Sequence, residues 1–141
     1  MTLEQLFSLA STAALIGWII LAAAPLRRDW AVFGARLLSA SLCGAYFAFL
    51  VAALTSGSGP PPGAGFSTLA GVQILFSSPQ ALLAGWVHYL AFDLFIGAWE
   101  VADAPTARVP HWLVLPCLVL TFVFGPVGLL LYLVIKAVRA R

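Results

Sequence analysis

Charged residues are scarce in this sequence: Asp, Glu, Lys and Arg make up 9% of its 141 residues, while 62% are hydrophobic. A soluble domain carries about 25% charged residues, because water has to solvate its surface. With a mean hydropathy of +1.04, this chain has too few polar side chains to cover itself. The composition therefore predicts an integral membrane protein that is solvated largely by lipid.

Histidine and cysteine are also scarce, with two of each. Cys43 and Cys117 lie in separate apolar segments and form no CxxC pair, so we interpret them as small packing residues. Membrane oxygenases with histidine boxes need several more imidazoles than His88 and His111 can supply. A haem would find one axial ligand at most. We expect no metal and no cofactor.

Four apolar segments are long enough to cross a bilayer, which takes about 20 residues of helix. They cover about residues 3–24, 30–54, 79–100 and 111–137. We also considered the first segment as a cleaved signal peptide, but it lacks a basic start and carries Glu4 instead. No internal repeat and no separate domain is evident, so the chain is predicted to form one polytopic domain over residues 1–141.

The connection between the second and third spans is unusual. Thr55–Gly65, TSGSGPPPGAG, is rich in Gly, Pro and Ser and is predicted to be a linker. Phe66–Ser77 is apolar but, at about 12 residues, too short to span. The predicted fold is thus an all-α integral membrane bundle of four transmembrane helices, with a short interfacial or re-entrant helix between the second and third.

The basic residues do not decide how four such spans are oriented. Lys and Arg favour the cytoplasmic side of a membrane. Four spans would place four basic residues on one side and three on the other, which is no bias: Arg27, Arg28, Arg36 and Arg108 against Lys136, Arg139 and Arg141. These residues form no cluster and no nucleic-acid-binding motif is present, so no nucleic-acid partner is expected.

The third span carries titratable groups at a depth where they are costly. His88 and Asp93 lie within a turn of its midpoint near Leu90. An acid at that depth costs about 2.5–3.5 kcal/mol on insertion scales, and such residues by default mark a functional site. The alternative is that they form interhelical hydrogen bonds that help the bundle to pack. At about 100° per residue, Asp93 lies about 140° around the helix from His88, so the two do not share a face.

Asp93 does share a face with Trp86, Tyr89 and Glu100. Tyr89, one turn earlier, is placed to donate a hydrogen bond to the carboxylate. Glu100, two turns later, is interpreted as a solvated helix end. In an apolar environment the Asp93 carboxyl and the His88 imidazole are expected to be neutral, which suits proton transfer on an apolar substrate. Asp93 and His88 are therefore the candidate catalytic residues.

The fourth predicted span contains a predicted break at Phe124–Gly128, FGPVG. Pro126 lacks an N–H and clashes with the carbonyl of Phe122, so the helix is predicted to kink and to leave that carbonyl without a partner. Gly125 and Gly128 leave room for close approach by another helix or a flat ligand. A kink that serves packing alone is the alternative.

These motifs resemble a known family. Residues 69–95, LAGVQILFSSPQALLAGWVHYLAFDLF, with Gly-Pro-Val-Gly at 125–128, resemble the core of the plant abscisic-acid-deficient membrane family of neoxanthin synthesis and its bacterial relatives. The resemblance implies a small polytopic membrane protein linked to carotenoids. Its plant members are tied to converting violaxanthin to neoxanthin, in which an epoxide opens and a neighbouring proton is lost to leave an allene.

This chain departs from the plant members in two ways. They have an arginine at the position of Ala98, and they carry a chloroplast transit segment, whereas this chain begins with its first span. These departures predict a multi-pass protein of the bacterial inner membrane. The fold is expected to carry over from the family, and the substrate need not.

Two functional hypotheses follow. The first is a cofactor-free carotenoid or isoprenoid isomerase in which Asp93 and His88 transfer protons. Its candidate substrate-binding residues are Trp86, Tyr89, Phe92, Gly125 and Pro126. The second is a non-catalytic membrane protein that binds a pigment or lipid or supports an assembly. Transport is disfavoured because no second half repeats the polar third span, and a homo-oligomer is left open.

Overall fold

The computed structural model describes residues 1–55 and 59–139, and six α-helices form the secondary structure of these residues. The helices are α1 Leu3–Ala22, α2 Arg28–Thr55, α3 Leu69–Phe76, α4 Pro79–Asp103, α5 His111–Phe124 and α6 Pro126–Arg139. By length and composition, α1, α2 and α4 can cross a membrane. The all-α class is confirmed, and the chain is a membrane protein with three long apolar helices.

Helix α4 is the centre of the bundle, because every other helix packs against it. Trp86 on α4 donates through Nε1 to Ser11 Oγ on α1, 3.1 Å away. On α2, Ser39 Oγ donates to the Ala91 carbonyl at 2.8 Å, and the Tyr46 ring lies beside the His88 ring. The order of these contacts along the chain shows that α2 runs antiparallel to α4.

Helices α5 and α6 replace the predicted fourth span with a hairpin. Arg139 Nε, at the end of α6, donates to the carbonyl of Arg108, just before α5, at 3.3 Å. Near the same end of α6, Lys136 Nζ lies 2.7 Å from Asp103 Oδ2 at the end of α4. These contacts bring the end of α6 back to the start of α5, so the two helices run antiparallel. The structure therefore does not show one kinked span over residues 111–137.

The length of the two helices supports the same interpretation. Each has 14 residues, which is about 21 Å of helix against a hydrocarbon core of about 30 Å. Pro126 does not kink a continuous helix but stands first in α6, where its missing N–H costs nothing. Gly125, with φ +46°, ends α5 and allows the chain to reverse.

The short piece between the second and third spans is helix α3. It covers the middle of the predicted segment Phe66–Ser77, and the Phe76 ring packs against Gly85 on α4. An interfacial or re-entrant position for α3 stays a prediction. Part of the predicted linker Thr55–Gly65, residues 56–58, lies outside the described residues.

The hairpin collects the basic residues on one side of the bundle. All six Lys and Arg side chains of residues 1–55 and 59–139 lie towards the side where α1 and α4 end: Arg27, Arg28, Arg36, Arg108, Lys136 and Arg139. The opposite side carries Glu4 at the start of α1. Because Lys and Arg favour the cytoplasm, the basic side is expected to be cytoplasmic. The hairpin thus gives a prediction for the orientation that four spans left open. (Arg141 lies outside the described residues.)

Labelling of single cysteines tests this orientation. We expect Ser67→Cys to react with a membrane-impermeant maleimide from outside sealed right-side-out vesicles, whereas Thr106→Cys should react only after the vesicles are opened. Both positions are exposed, and both variants are made in a Cys43→Ser, Cys117→Ser background. The reverse pattern would show that the basic side faces outwards.

Candidate functional site

The turn of the hairpin rests on the carboxyl of Asp93. A Cβ atom added to Gly125 would lie 2.8 Å from Asp93 Oδ1 and 3.0 Å from Oδ2, so the carboxyl packs directly on the backbone of the turn. Asp93 lies ten residues, or about 15 Å, from the end of α4, a helix about 37 Å long. The turn is therefore placed near the middle of the span.

Tyr89 forms hydrogen bonds with the backbone just before the turn. Its hydroxyl donates to the carbonyls of Phe122 and Val123, at 3.2 and 3.1 Å. The last carbonyls of a helix have no partner within it, so this hydroxyl supplies one for two of them. The predicted need of the Phe122 carbonyl for a partner is confirmed. The sequence predicted that Tyr89 donates to Asp93; in the structure the hydroxyl donates to the two carbonyls and also lies within hydrogen-bonding reach of the Asp93 carboxyl.

Asp93 keeps one polar atom without a protein partner. Its side chain is half-buried, and Oδ2 is fully enclosed yet has no hydrogen-bond partner among the described residues. A buried oxygen in this state costs free energy and calls for an explanation. The salt bridge of the described residues joins Lys136 to Asp103, so Asp93 has no bonded cation there. The Asp93 carboxyl is therefore suited to binding a proton or to forming a hydrogen bond with a polar atom of a ligand.

A strip of aromatic rings leads along the bundle to this carboxyl. The rings of Trp86 and Tyr89 are stacked, with centroids 5.5 Å apart, and Phe7 on α1 lies 5.6 Å from Trp86. Phe7 is 41% exposed and Trp86 39%, so an apolar molecule in the membrane can reach them. We call Phe7, Trp86 and Tyr89 the aromatic strip. Its two α4 residues, Trp86 and Tyr89, precede the residue that contacts the hairpin turn.

His88 and Phe92 lie on another face of α4. The His88 ring is 5.7 Å from the Tyr46 ring of α2 and 4.6 Å from the Phe92 ring. The prediction that His88 and Asp93 do not share a face is confirmed, and within residues 1–55 and 59–139 the two form no hydrogen bond. Four of the predicted site residues meet at the turn, namely Asp93, Tyr89, Gly125 and Pro126, and Trp86 stacks on Tyr89 before it. The roles assigned to all seven stay predictions.

Glu100 is the polar residue that the sequence interpretation missed. It was taken as a solvated helix end, but the structure shows it 0% exposed beneath the hairpin. Thr121 Oγ1 donates to Glu100 Oε1 at 3.0 Å, while Oε2 is buried without a partner in the described part of the chain. Two features of the sequence pointed to its burial: Glu100 shares a helix face with Asp93, and Gly128 allows the last two helices to pack closely together. A Cβ at Gly128 would collide with the backbone and hydroxyl of Thr121, so α6 packs against α5 only through a glycine.

Polar contacts of Asp103 with α6 stabilise the open end of the hairpin. Tyr132 Oη donates to Asp103 Oδ2 at 2.7 Å, and Lys136 Nζ donates to both carboxylate oxygens at 2.9 and 2.7 Å. Lys136 also lies 5.5 Å from the centre of the Trp99 ring. These contacts hold α6 against the end of α4. In the described ranges, no three His, Cys, Asp or Glu side chains come together in a way that could hold a metal ion.

The fold and the site together define a class of protein: a helical membrane protein whose last two helices form a hairpin, with the turn resting on a carboxyl near the middle of α4. The model of one known family, described as ABA DEFICIENT 4-like, matches residues 5–132. The chain belongs to this family, and the matched range includes every residue of the turn and of the aromatic strip. The resemblance seen in the sequence is thereby confirmed. No curated protein and no solved structure matches the chain.

Replacing the turn glycine tests the geometry of the reversal. We expect Gly125→Ala to lower the free energy of unfolding by about 1–3 kcal/mol or more, because alanine disfavours a positive φ and its Cβ meets the Asp93 carboxyl. Gly44→Ala is the matched control: Gly44 lies within α2 with nothing within 4 Å of an added Cβ. That variant should be neutral or more stable by about 0.5–1 kcal/mol. Equal thermal unfolding of both variants in detergent would contradict the hairpin turn.

Removing one hydroxyl tests the hydrogen bonds to the turn. We expect Tyr89→Phe to leave the carbonyls of Phe122 and Val123 unsatisfied, at a cost of about 1–3 kcal/mol. Hydrogen exchange of the amides in residues 121–129, followed by mass spectrometry, should become about tenfold faster or more. Tyr46→Phe is the control, since the Tyr46 hydroxyl makes no hydrogen bond with described residues. Unchanged exchange in Tyr89→Phe would show that the turn does not depend on this hydroxyl.

Proposed function

We propose that the chain binds a carotenoid or a related isoprenoid lipid along the aromatic strip and isomerises it, with the Asp93 carboxyl as the proton donor. The observation that carries the proposal is the position of Asp93: near mid-span, packed on the hairpin turn, with Oδ2 enclosed and unpartnered. Intramembrane carboxyls of this kind usually serve a function, because their insertion is costly. Membership of the ABA DEFICIENT 4-like family supports the choice of ligand class.

The shape of the site fits a long, flat and apolar ligand. A polyene can lie against the faces of Phe7 and Trp86, which are open to the membrane, and gains contact with their large apolar surfaces. An oxygen on the terminal ring of that ligand would then come to the turn, where Asp93 offers a polar atom in an otherwise apolar region. A ligand without such an oxygen would leave Asp93 unpartnered and should bind more weakly.

For a xanthophyll epoxide the chemistry is a balanced isomerisation. The Asp93 carboxyl gives its proton to the epoxide oxygen, and the C–O bond breaks with its electron pair on oxygen, which becomes a hydroxyl. A proton then leaves the neighbouring carbon, and the electron pair of that C–H bond forms the new double bond of an allene. No electrons are gained or lost overall, so the reaction requires no oxidant or reductant. Acid and base catalysis of this kind contributes about 10²- to 10⁴-fold to rate.

The base in this reaction is proposed to be Asp93 itself. Once it has given up its proton, its carboxylate is already at the reacting centre. The hypothesis that His88 takes the proton has less support, because the His88 ring packs between Tyr46 and Phe92 on another face of α4. The two versions differ in one consequence: His88 as base would leave Asp93 ionised after each turnover.

A non-catalytic role is the second candidate function. It is favoured by the presence of a single titratable acid at the turn, which could simply accept a hydrogen bond from a ligand hydroxyl. The protein would then hold a pigment or lipid without changing it. For either function we propose the bacterial inner membrane as the location, with the basic side in the cytoplasm. A homo-oligomer stays a prediction from the sequence.

Turnover of a xanthophyll epoxide tests the isomerase. In lipid nanodiscs, the unaltered protein should convert added violaxanthin to an isomer of equal mass, measured by chromatography and mass spectrometry. Asp93→Asn should lower the rate at least about 100-fold, because the amide cannot donate the acidic proton. Glu4→Gln, which changes an exposed carboxyl at the other end of the bundle, is the matched control and should keep full activity. His88→Gln should stay within about threefold of the unaltered protein.

The other outcomes separate the candidates. Violaxanthin retained unchanged by the unaltered protein, and lost from Asp93→Asn, would support binding and contradict the isomerase. Equal binding and equal turnover in Asp93→Asn would contradict both. A loss in His88→Gln as large as that in Asp93→Asn would assign the base to His88.

A further inference from the structure

Glu100 is a fully buried carboxyl that the proposed reaction does not use. It is 0% exposed, in the seam between α4 and the two helices of the hairpin. Only one of its oxygens has a partner, the Thr121 hydroxyl at 3.0 Å, and Oε2 is enclosed with none among the described residues. Hydrogen bonding to one hydroxyl is too little to account for burying a carboxyl, which costs several kcal/mol. The burial therefore calls for a function.

The position of Glu100 along α4 suggests what that function is. Glu100 lies two turns, or about 10 Å, beyond Asp93 on nearly the same face, and Asp103 lies one turn further on. Asp103 is partly exposed and is bonded to Lys136 on the basic side of the bundle. The three carboxyls thus form a column on α4 that begins at the mid-span turn and ends at water. Glu100 is the only member of the column that is fully buried.

Polar side chains of both hairpin helices lie near Glu100. Thr121 on α5 donates to it, and Cys117 on α5 and Tyr132 on α6 are close enough to interact with it electrostatically. Tyr132 also donates to Asp103 Oδ2 at 2.7 Å, which connects the seam to the outer end of the column. Lys136 is engaged by Asp103 rather than by Glu100.

We propose that Glu100 is a proton relay between the aqueous phase at Asp103 and the carboxyl of Asp93. Glu100 gives its proton to an ionised Asp93, so that one O–H bond breaks and another forms, and it then takes a proton from water entering at Asp103. The hydroxyls of Thr121 and Tyr132, together with water molecules, bridge the distances between the carboxyls. Each transfer therefore brings one proton in from the aqueous side, and that proton neutralises the negative charge of the ionised Asp93.

The relay would set the protonation state of Asp93, which lies about 15 Å from the end of α4. In this respect it rests on the proposed function, in which Asp93 must carry a proton to react. A carboxyl buried among apolar residues exchanges protons with water only if other groups or water connect the two. The same column would reset Asp93 after any turnover that leaves it ionised.

Infrared spectroscopy in heavy water tests the relay without a substrate. The full-length protein in nanodiscs is mixed with D₂O, and the carboxylic acid C=O bands are followed in time. The band that disappears in Asp93→Asn reports Asp93, and the one that disappears in Glu100→Gln reports Glu100. In Glu100→Gln we expect deuteration of Asp93 to slow at least about tenfold, because the amide cannot pass on a proton. Glu100→Asp keeps a carboxyl and should restore much of the rate, and Glu4→Gln should change nothing.

The outcomes distinguish the relay from the isomerase. Unchanged deuteration of Asp93 in Glu100→Gln would overturn the relay, as would the lack of any band that this variant removes. Slowed deuteration without violaxanthin turnover by the unaltered protein would support the relay and contradict only the isomerase. Thermal unfolding checks that each variant is folded. If Glu100→Gln does not fold, Thr121→Val, which removes the hydroxyl bonded to Glu100, carries the test and should slow deuteration several-fold.

Discussion

The fold depends on hydrogen bonds to the backbone groups of a chain reversal that lies at a depth where water is absent. A backbone carbonyl without a partner in hydrocarbon costs several kcal/mol, so irregular backbone survives there only with protein partners. The Tyr89 hydroxyl serves the carbonyls of Phe122 and Val123. The turn serves itself as well: the Gly125 N–H donates to the Thr121 carbonyl at 2.9 Å, and the Gly125 carbonyl accepts from Gly128 at 3.1 Å. Without these bonds, a turn at mid-span would leave several backbone groups without hydrogen-bond partners.

The same constraint explains why the candidate site is where it is. A reversal needs a glycine with a positive φ and a neighbour that can approach its backbone closely, and Asp93 fills the space that a side chain would occupy. Because the hairpin turns at mid-span, α5 and α6 leave the N-terminal half of α4 uncovered, and Trp86 remains partly exposed to lipid. The polar atom and the apolar surface beside it are therefore two consequences of one turn.

Much of this arrangement could be predicted from the sequence, but the reversal could not. Hydropathy identified α1, α2 and α4, and the helical period placed Asp93, Trp86 and Tyr89 on one face. Residues 111–137 are apolar throughout, and their length fits a single span as well as a hairpin. Pro126 signals a break without showing whether the chain kinks or turns back, because that depends on whether Gly125 takes a positive φ and whether Gly128 fits against Thr121. The burial of Glu100 depends on the same reversal, and so was missed.

Under the two proposals, the returning hairpin also separates the route of a ligand to Asp93 from the route of a proton. Helix α6 brings Lys136 and Arg139 back to the side of Arg108, so the polar column of α4 opens towards the basic, aqueous side. The aromatic strip lies on the opposite side of the turn and is open to the membrane. An apolar ligand and a proton would therefore approach the same carboxyl from opposite directions, and neither would have to pass through the environment that the other needs. A single continuous fourth span would cover the strip and carry Lys136 away from Asp103, so it could not provide either route.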